Sequence, residues 1–335
     1  MDRNTVWRAE GKKREEMENM IRFIAVCMSV ALLLNPAFLK DARAQDMPQE
    51  YREVLKLLGK KGDYKDNVLK VNIPRNDLTV TVAGVETPTP FGFGGWLAMT
   101  KGDADLQVMM GDLVLLEEEV NPVMSALLDN GLEVTALHNH FFWEHPRISY
   151  MHVHGHGKAA DLARKVMAAL ELIGHATRTG TVTYARETGA PNSQNAVHVV
   201  EGKLNTDKLD QIIGHSGEHS APVYKVTIGR DDLMLKEMGA RIGTRMGLNT
   251  WAAFVGTDEH AAVAGDVAML EDEVNSVLKA LRDNGLDVVA IHHHMTGARP
   301  MFIFLHYWGT GNAEKLATGF RAALDELGKG KPGQQ

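Results

Sequence analysis

Apolar residues recur along this chain at two spacings, one of helices and one of strands, in an order that is written twice. Val120, Val123, Met124, Leu127 and Leu128 fall at helical spacing. Asn121 suits an N-cap, Pro122 the first helical position and Gly131 a left-handed exit, so a helix is expected to start at Asn121. A second helix is expected over 158–174, with Leu162, Val166, Ala169 and Leu170 facing inward. Between the two helices lie strands at about 132–141 and 147–156, joined by a turn at 143–146. Upstream, 71–73, 78–83, 95–100 and 105–115 read as strands divided by Pro and Gly.

Residues 111–170 align without a gap on 265–324, and 28 of the 60 positions are identical. The offset is 154, and at 155 the likeness runs further back, pairing Lys70-Val71-Asn72-Ile73 with Lys225-Val226-Thr227-Ile228 and Trp96 with Trp251. A repeat of this length is one structural unit copied. The expected fold class is therefore α+β: two tandem copies of an antiparallel sheet with helices on one face, partly ferredoxin-like, packed about a pseudo-two-fold axis. The copies span 50–174 and 205–328, and the Thr, Gly, Asn and Ser-rich stretch 175–204 reads as a connector with one short strand at 196–200.

The amino terminus reads differently. Lys12, Lys13, Arg14 and Arg22 precede an apolar run over 23–34, and Ala42-Arg43-Ala44 follows it. That order is expected to be a cleavable secretory signal over 1–44, leaving Gln45 first and placing the protein in the periplasm or outside the cell. The run is too short for a spanning helix, so no membrane span is expected after processing. The only cysteine, Cys27, lies inside the run. A processed chain carries no thiol, which excludes disulfides and thiolate zinc sites and leaves soft-metal chemistry to imidazole, carboxylate and methionine. Losing residues 1–44 removes 8 basic and 6 acidic residues and leaves 28 against 37, a net charge of −9. An acidic balance argues against a nucleic-acid partner.

Fifteen histidines are present, and their placement carries the chemistry. His138 and His140 stand two apart on one expected strand, and His152, His154 and His156 two apart on the next. Alternate residues of a strand share a face, so each set projects to one side. A hairpin centred near Pro146 would set His140 opposite His152 and His138 opposite His154, close enough for one ion with bonds of about 2.0–2.1 Å. Leu132, Val134 and Ala136 would share the histidine face of their strand. In the second copy His292, His294 and His306 match His138, His140 and His152, while Trp308 stands at the place of His154 and Thr310 at that of His156. The first copy is therefore expected to hold the working site, with a weaker one in the second that Trp308 crowds. Zinc is the expected metal, with copper as the alternative.

The strings Leu137-His138-Asn139-His140, Tyr150-Met151-His152 and Gly155-His156-Gly157, after Glu119-Val120-Asn121-Pro122, resemble the exported bacterial proteins typified by the mycobacterial lipoproteins LppY and LpqO. The resemblance covers nearly the whole processed chain and implies export without implying an activity. This chain departs from the lipoproteins in that apolar residues continue past Cys27, which argues against a lipid anchor.

Two functions fit these residues. One is a periplasmic metal-binding protein that buffers, senses or delivers its ion, with the metal, and in delivery a partner protein, as its partners. The other is a metal-dependent hydrolase of an envelope substrate, with a metal-bound water as nucleophile and Glu119, Glu144 or Asp112 as base.

Overall fold

The computed structural model describes residues 46–174, 203–296 and 299–329. The expected signal over 1–44, nearly all of the connector and its strand at 196–200 lie outside the described residues. Among the described residues no helix is long and apolar enough to cross a membrane.

The first copy opens with α1 (Gln49–Leu58), which buries Tyr51, Val54 and Leu58 along one side. Strands β1 (Asp63–Lys65), β2 (Val68–Pro74), β3 (Val80–Val82), β4 (Val85–Thr87), β5 (Gly94–Lys101) and β6 (Gln107–Leu116) follow. Then come α2 (Glu117–Asp129), β7 (Glu133–His138), the two-residue β8 (Glu144–His145), β9 (Ile148–Gly157) and α3 (Ala159–Leu170). The second copy repeats this as α4 (Thr206–Ile213), β10 (Glu218–Ser220), β11 (Val223–Gly229), β12 (Leu235–Glu237), β13 (Ala240–Ile242), β14 (Asn249–Gly256), β15 (Ala261–Leu270), α5 (Val274–Asp283), β16 (Asp287–His292), β17 (Phe302–Gly311) and α6 (Ala313–Leu324). Each copy forms an antiparallel six-stranded sheet, in the orders β1-β2-β5-β6-β9-β7 and β10-β11-β14-β15-β17-β16. The fold is α+β, two tandem copies of one sheet-plus-helices unit.

Each sheet covers its helices with one face. Leu113, Met151 and Val153 meet Val123, Leu127, Leu162 and Val166 in the first copy, and Val267, Leu305 and Tyr307 meet Val277, Leu281 and Phe320 in the second. The other faces pack on each other. Val114, Ile148, Phe91, Phe93 and Phe141 of the first copy join Val223, Ala253, Ala262 and Trp308 of the second. The equivalent positions, Ala268, Phe302, Met246, Leu248 and Met295, join Val68, Ala98, Val108 and Met110. These two cores exchange places at the repeat offset, so the sheets face one another about a pseudo-two-fold axis. Buried apolar area of this order on both faces is the main force holding the copies together.

Three local expectations are corrected. The first helix begins at Glu117, not after Asn121, and Pro122 lies inside it. Glu119 explains this: it is 2% exposed and its Oε2 accepts the Leu116 N–H at 2.8 Å, so an acid closes the helix start from within. The same carboxylate holds Arg75 Nη1 at 2.6 Å and accepts the Gly174 N–H. Glu119, expected as a candidate base, is thereby engaged by Arg75, Leu116 and Gly174. Its copy Glu273 does the same for Arg230, Leu270 and Gly328.

The hairpin register is the second correction. β7 pairs β9 with His138 opposite Tyr150 and Ala136 opposite His152, because 139–147 form a long loop and not a tight turn. That loop is held away by β3, which pairs with Glu144 and His145. The third is a bulge between Val134 and Ala136, repeated between Val288 and Ala290. A bulge inserts a residue and flips the faces beyond it. Val134 therefore packs on the helix side, while Ala136 and His138 turn to the sheet–sheet interface.

Breaking the buried Arg75–Glu119 pair leaves a charge without its partner, at a cost of about 3–5 kcal/mol. Glu119→Ala is expected to lower the urea midpoint accordingly while the folded variant keeps its metal content. A stability unchanged within about 0.5 kcal/mol would contradict this role.

Candidate metal centre

The face-to-face packing brings histidines of both copies into one cluster. β9 carries His152 and β17 carries His306, each two residues past an aromatic, Tyr150 or Phe304. The bulged strands β7 and β16 deliver His138 and His292 to the same interface, and the chain just beyond them places His140 and His294. His138 and His292 stack at 3.7 Å between ring centres. His140 stacks on Tyr150 at 3.2 Å and His294 on Phe304 at 3.4 Å. Across the axis His140 meets His306 at 3.6 Å and His294 meets His152 at 4.0 Å. The paired distances show that the cluster obeys the same pseudo-symmetry as the fold. Thr135 fixes the junction, its hydroxyl donating to the His294 carbonyl at 2.6 Å.

Two overlapping groups, His138 with His292 and His306, and His152 with His292 and His294, each offer ring nitrogens within 4.8 Å of one another. His138 Nε2 and His306 Nε2 stand 3.2 Å apart. Two ligands on a tetrahedral ion with bonds of about 2.0–2.1 Å are about 3.3 Å apart, so the spacing already suits a shared ion. His306 Nδ1 faces the Gly265 carbonyl at 3.3 Å, and the Gly111 backbone plays this part for His152. A ring nitrogen donating to a carbonyl leaves the other as a lone pair aimed inward, which is the tautomer a metal needs. Among the described residues, Nδ1 of His138, both nitrogens of His140 and His292, and Nε2 of His152 are buried without a hydrogen-bond partner. Groups of this kind are costly to leave unmet, and a metal ion is one ligand that could meet several at once.

The electrostatics agree. Burial lowers His138 to about 4. Burial, followed by repulsion from neighbouring imidazoles, holds His140, His152, His292, His294 and His306 well below the ordinary range. At neutral pH all six are uncharged. Asp112, opposite His152 on β6, is pushed up to about 7 by burial. Its copy Asp266, opposite His306, is raised well above the carboxylate range by burial and then by Asp112. Both acids line a cavity of about 220 Å³ that also touches His140, His294 and His306.

The other candidates stand elsewhere. His154 is 4% exposed, its Nε2 lies 3.1 Å from a carboxylate oxygen of Glu237 of the second copy, and it does not line the cavity. His156 points to solvent. Glu144 sits in the 139–147 loop, where its Oε1 accepts the Ile148 N–H at 3.1 Å, and it does not line the cavity. Burial raises it to about 7. Trp308 does not crowd the histidines: it is 4% exposed and packs edge-on against Phe91 and Phe141. The expected pair of unequal sites, one per copy, is replaced by one cluster drawn equally from both. Reading each copy alone conceals this, although the matched positions of His138 with His292, His140 with His294 and His152 with His306 were the signal.

Residues 52–172 and 207–326 each match the family model described as Domain of Unknown Function (DUF1259). No curated protein sequence matches the chain. Among solved structures, EtuB from Clostridium kluyveri is 9% identical over 80% of this chain and 89% of its own, with a TM-score of 0.19. The trimeric bacterial microcompartment shell protein PduB is 10% identical over 78% and 90%, with a TM-score of 0.18. Superpositions this loose carry no argument about fold or function.

The histidine shifts give a pH dependence. An imidazole whose folded pKa lies below 6.5 stays neutral while the unfolded chain takes up its proton, so falling pH favours unfolding. Asp112 and Glu144, raised to about 7 in the folded state, act in the opposite sense between about pH 4 and 7, and Asp266, also raised, acts in the same sense as they do. Six histidines outweigh three acids. Metal-free protein is expected to lose stability as pH drops from about 6.5 toward 4, measured as the urea midpoint at a series of pH values. A midpoint that rises on acidification across that window would contradict the buried, neutral cluster.

Proposed function

The chain belongs to this domain family of unknown function, whose unit it carries twice, and from that premise we propose that it is a transition-metal-binding protein with one centre shared between the copies. The observation that carries the reading is the convergence of His138, His292 and His306, with ring nitrogens within 4.8 Å of one another across the repeat interface. All-imidazole donors suit zinc, copper, nickel and iron, and zinc fits a site with neutral nitrogen ligands. Copper is the alternative. His152 and His294 extend the donor set on the far side of His292.

Export forms part of the proposal and rests on the basic, apolar and Ala42-Arg43-Ala44 order of the amino terminus, together with the resemblance to the LppY and LpqO lipoproteins. In the periplasm such a protein holds, senses or delivers its ion, and the processed chain offers no competing thiol.

A hydrolase remains the second reading, favoured by one observation. Asp112 lines the cavity beside His140 and His306, and its Oδ1 is buried without a partner. That is where a base for a metal-bound water would stand, a role Glu119 and Glu144 are not placed to fill.

Titration of the processed protein with zinc is expected to show one tight ion per chain. His138→Ala and His292→Ala should each weaken it at least about 100-fold, beyond the roughly 10–100-fold typical of groups that only support a ligand. His156→Ala should leave it unchanged. Loss on changing His138 but not His292 would return the site to the first copy alone and contradict a shared centre. Asp112→Asn separates the two readings: it keeps the metal in both, and abolishes turnover of an envelope ester or phosphoester only in the second.

A further inference from the structure

The cavity beside the histidines has a second pair of symmetry-matched groups that the metal reading does not use. Lys70 on β2 and Lys225 on β11 both line it, at the repeat offset of 155. Each ammonium lies over an indole, Lys70 at 4.8 Å from the Trp96 ring and Lys225 at 3.9 Å from that of Trp251. Asn72 and Thr227, again matched by the repeat, stand on the solvent side and offer neutral donors. Among the described residues neither lysine has a carboxylate within ion-pair distance, although ion pairs elsewhere on the chain are plentiful. The aromatic faces steady the cations without neutralising them.

We propose that this cavity is a binding site for a small dianionic oxyanion, of the class of phosphate or a short dicarboxylate, clasped between Lys70 and Lys225 on the pseudo-two-fold axis. A ligand with two negative ends or a symmetric set of oxygens matches two cations related by a two-fold, where a monoanion satisfies one and leaves the other. The volume of about 220 Å³ admits a ligand of several heavy atoms and excludes a large one. Burial and the nearness of Lys70 pull Lys225 down to about 8, with Asp266 of the same cavity acting the other way. The two tryptophans wall the cavity, lowering the local dielectric so that each charge contact counts for more than in water. The site stands on the lysines and not on the metal, and its test is made without metal.

The experiment is isothermal titration of the full processed chain, stripped with a chelator, against inorganic phosphate, succinate and acetate at pH 7 and low salt. One site per chain is expected, with phosphate or succinate bound at least about tenfold more tightly than acetate. Which of the two dianions binds more tightly assigns the source. Lys70→Met and Lys225→Met should each weaken the dianion at least about tenfold. Circular dichroism and retained zinc binding show that these variants are folded. If the lysine variants keep zinc but lose the dianion, the proposal holds irrespective of the histidine variants. Equal binding of acetate, no binding of either dianion, or lysine variants that bind as the unchanged protein does would overturn it.

Discussion

Six imidazoles packed ring against ring are held uncharged well below the ordinary pKa by burial, and the molecule is organised around that packing. A protonated histidine here would face the desolvation cost of its charge and repulsion from the neighbouring rings. The apolar clusters on either side of the histidines, one built on Phe91, Phe93 and Trp308 and the other on Met246, Leu248 and Phe304, supply the dry walls. Tyr150 and Phe304 cap His140 and His294 by stacking. The same dryness raises Asp112 to about 7 and Asp266 well above the carboxylate range, beside imidazoles that stay neutral. A metal ion entering it meets lone pairs already free of protons.

Duplication makes such a centre accessible to a small sheet. One copy presents three histidines on a face that has no partner of its own. A second copy, turned about a two-fold, covers that face and supplies three more. The bulges at Val134–Ala136 and Val288–Ala290 are the hinge of this arrangement, since without them His138 and His292 would fall on the helix side with Val134 and Val288. The buried Arg75–Glu119 and Arg230–Glu273 pairs tie each sheet to the start of its helix, fixing the frame on which the strands are held.

Much of this was legible from the residues. The gapless offset of 154 gave the two copies, and the helical spacing of Val123, Leu127, Leu162 and Val166 gave the helix faces. The alternation of Tyr150, His152 and His154 placed those residues on one side of β9 correctly. The register of β7 was not legible, because it depends on a bulge and on β3 drawing the 139–147 loop aside, neither of which leaves a local pattern. α1 was missed although Tyr51, Val54 and Leu58 have helical spacing. The start of α2 was misplaced because Glu119 works as a cap from inside the helix, where Asn121 and Pro122 imitate an N-terminus. The shared histidine cluster was hidden for a simpler reason: each half of it is ordinary, and only the packing of one copy on the other joins them.

The central claim, one ion held by both copies, is tested most directly by crystallography of zinc-loaded protein with data collected on both sides of the zinc absorption edge. The account predicts one strong anomalous peak between the copies, within about 2.0–2.1 Å of nitrogens from His138, His292 and His306. A peak bound by residues of a single copy, or one at His154 and His156, would contradict it.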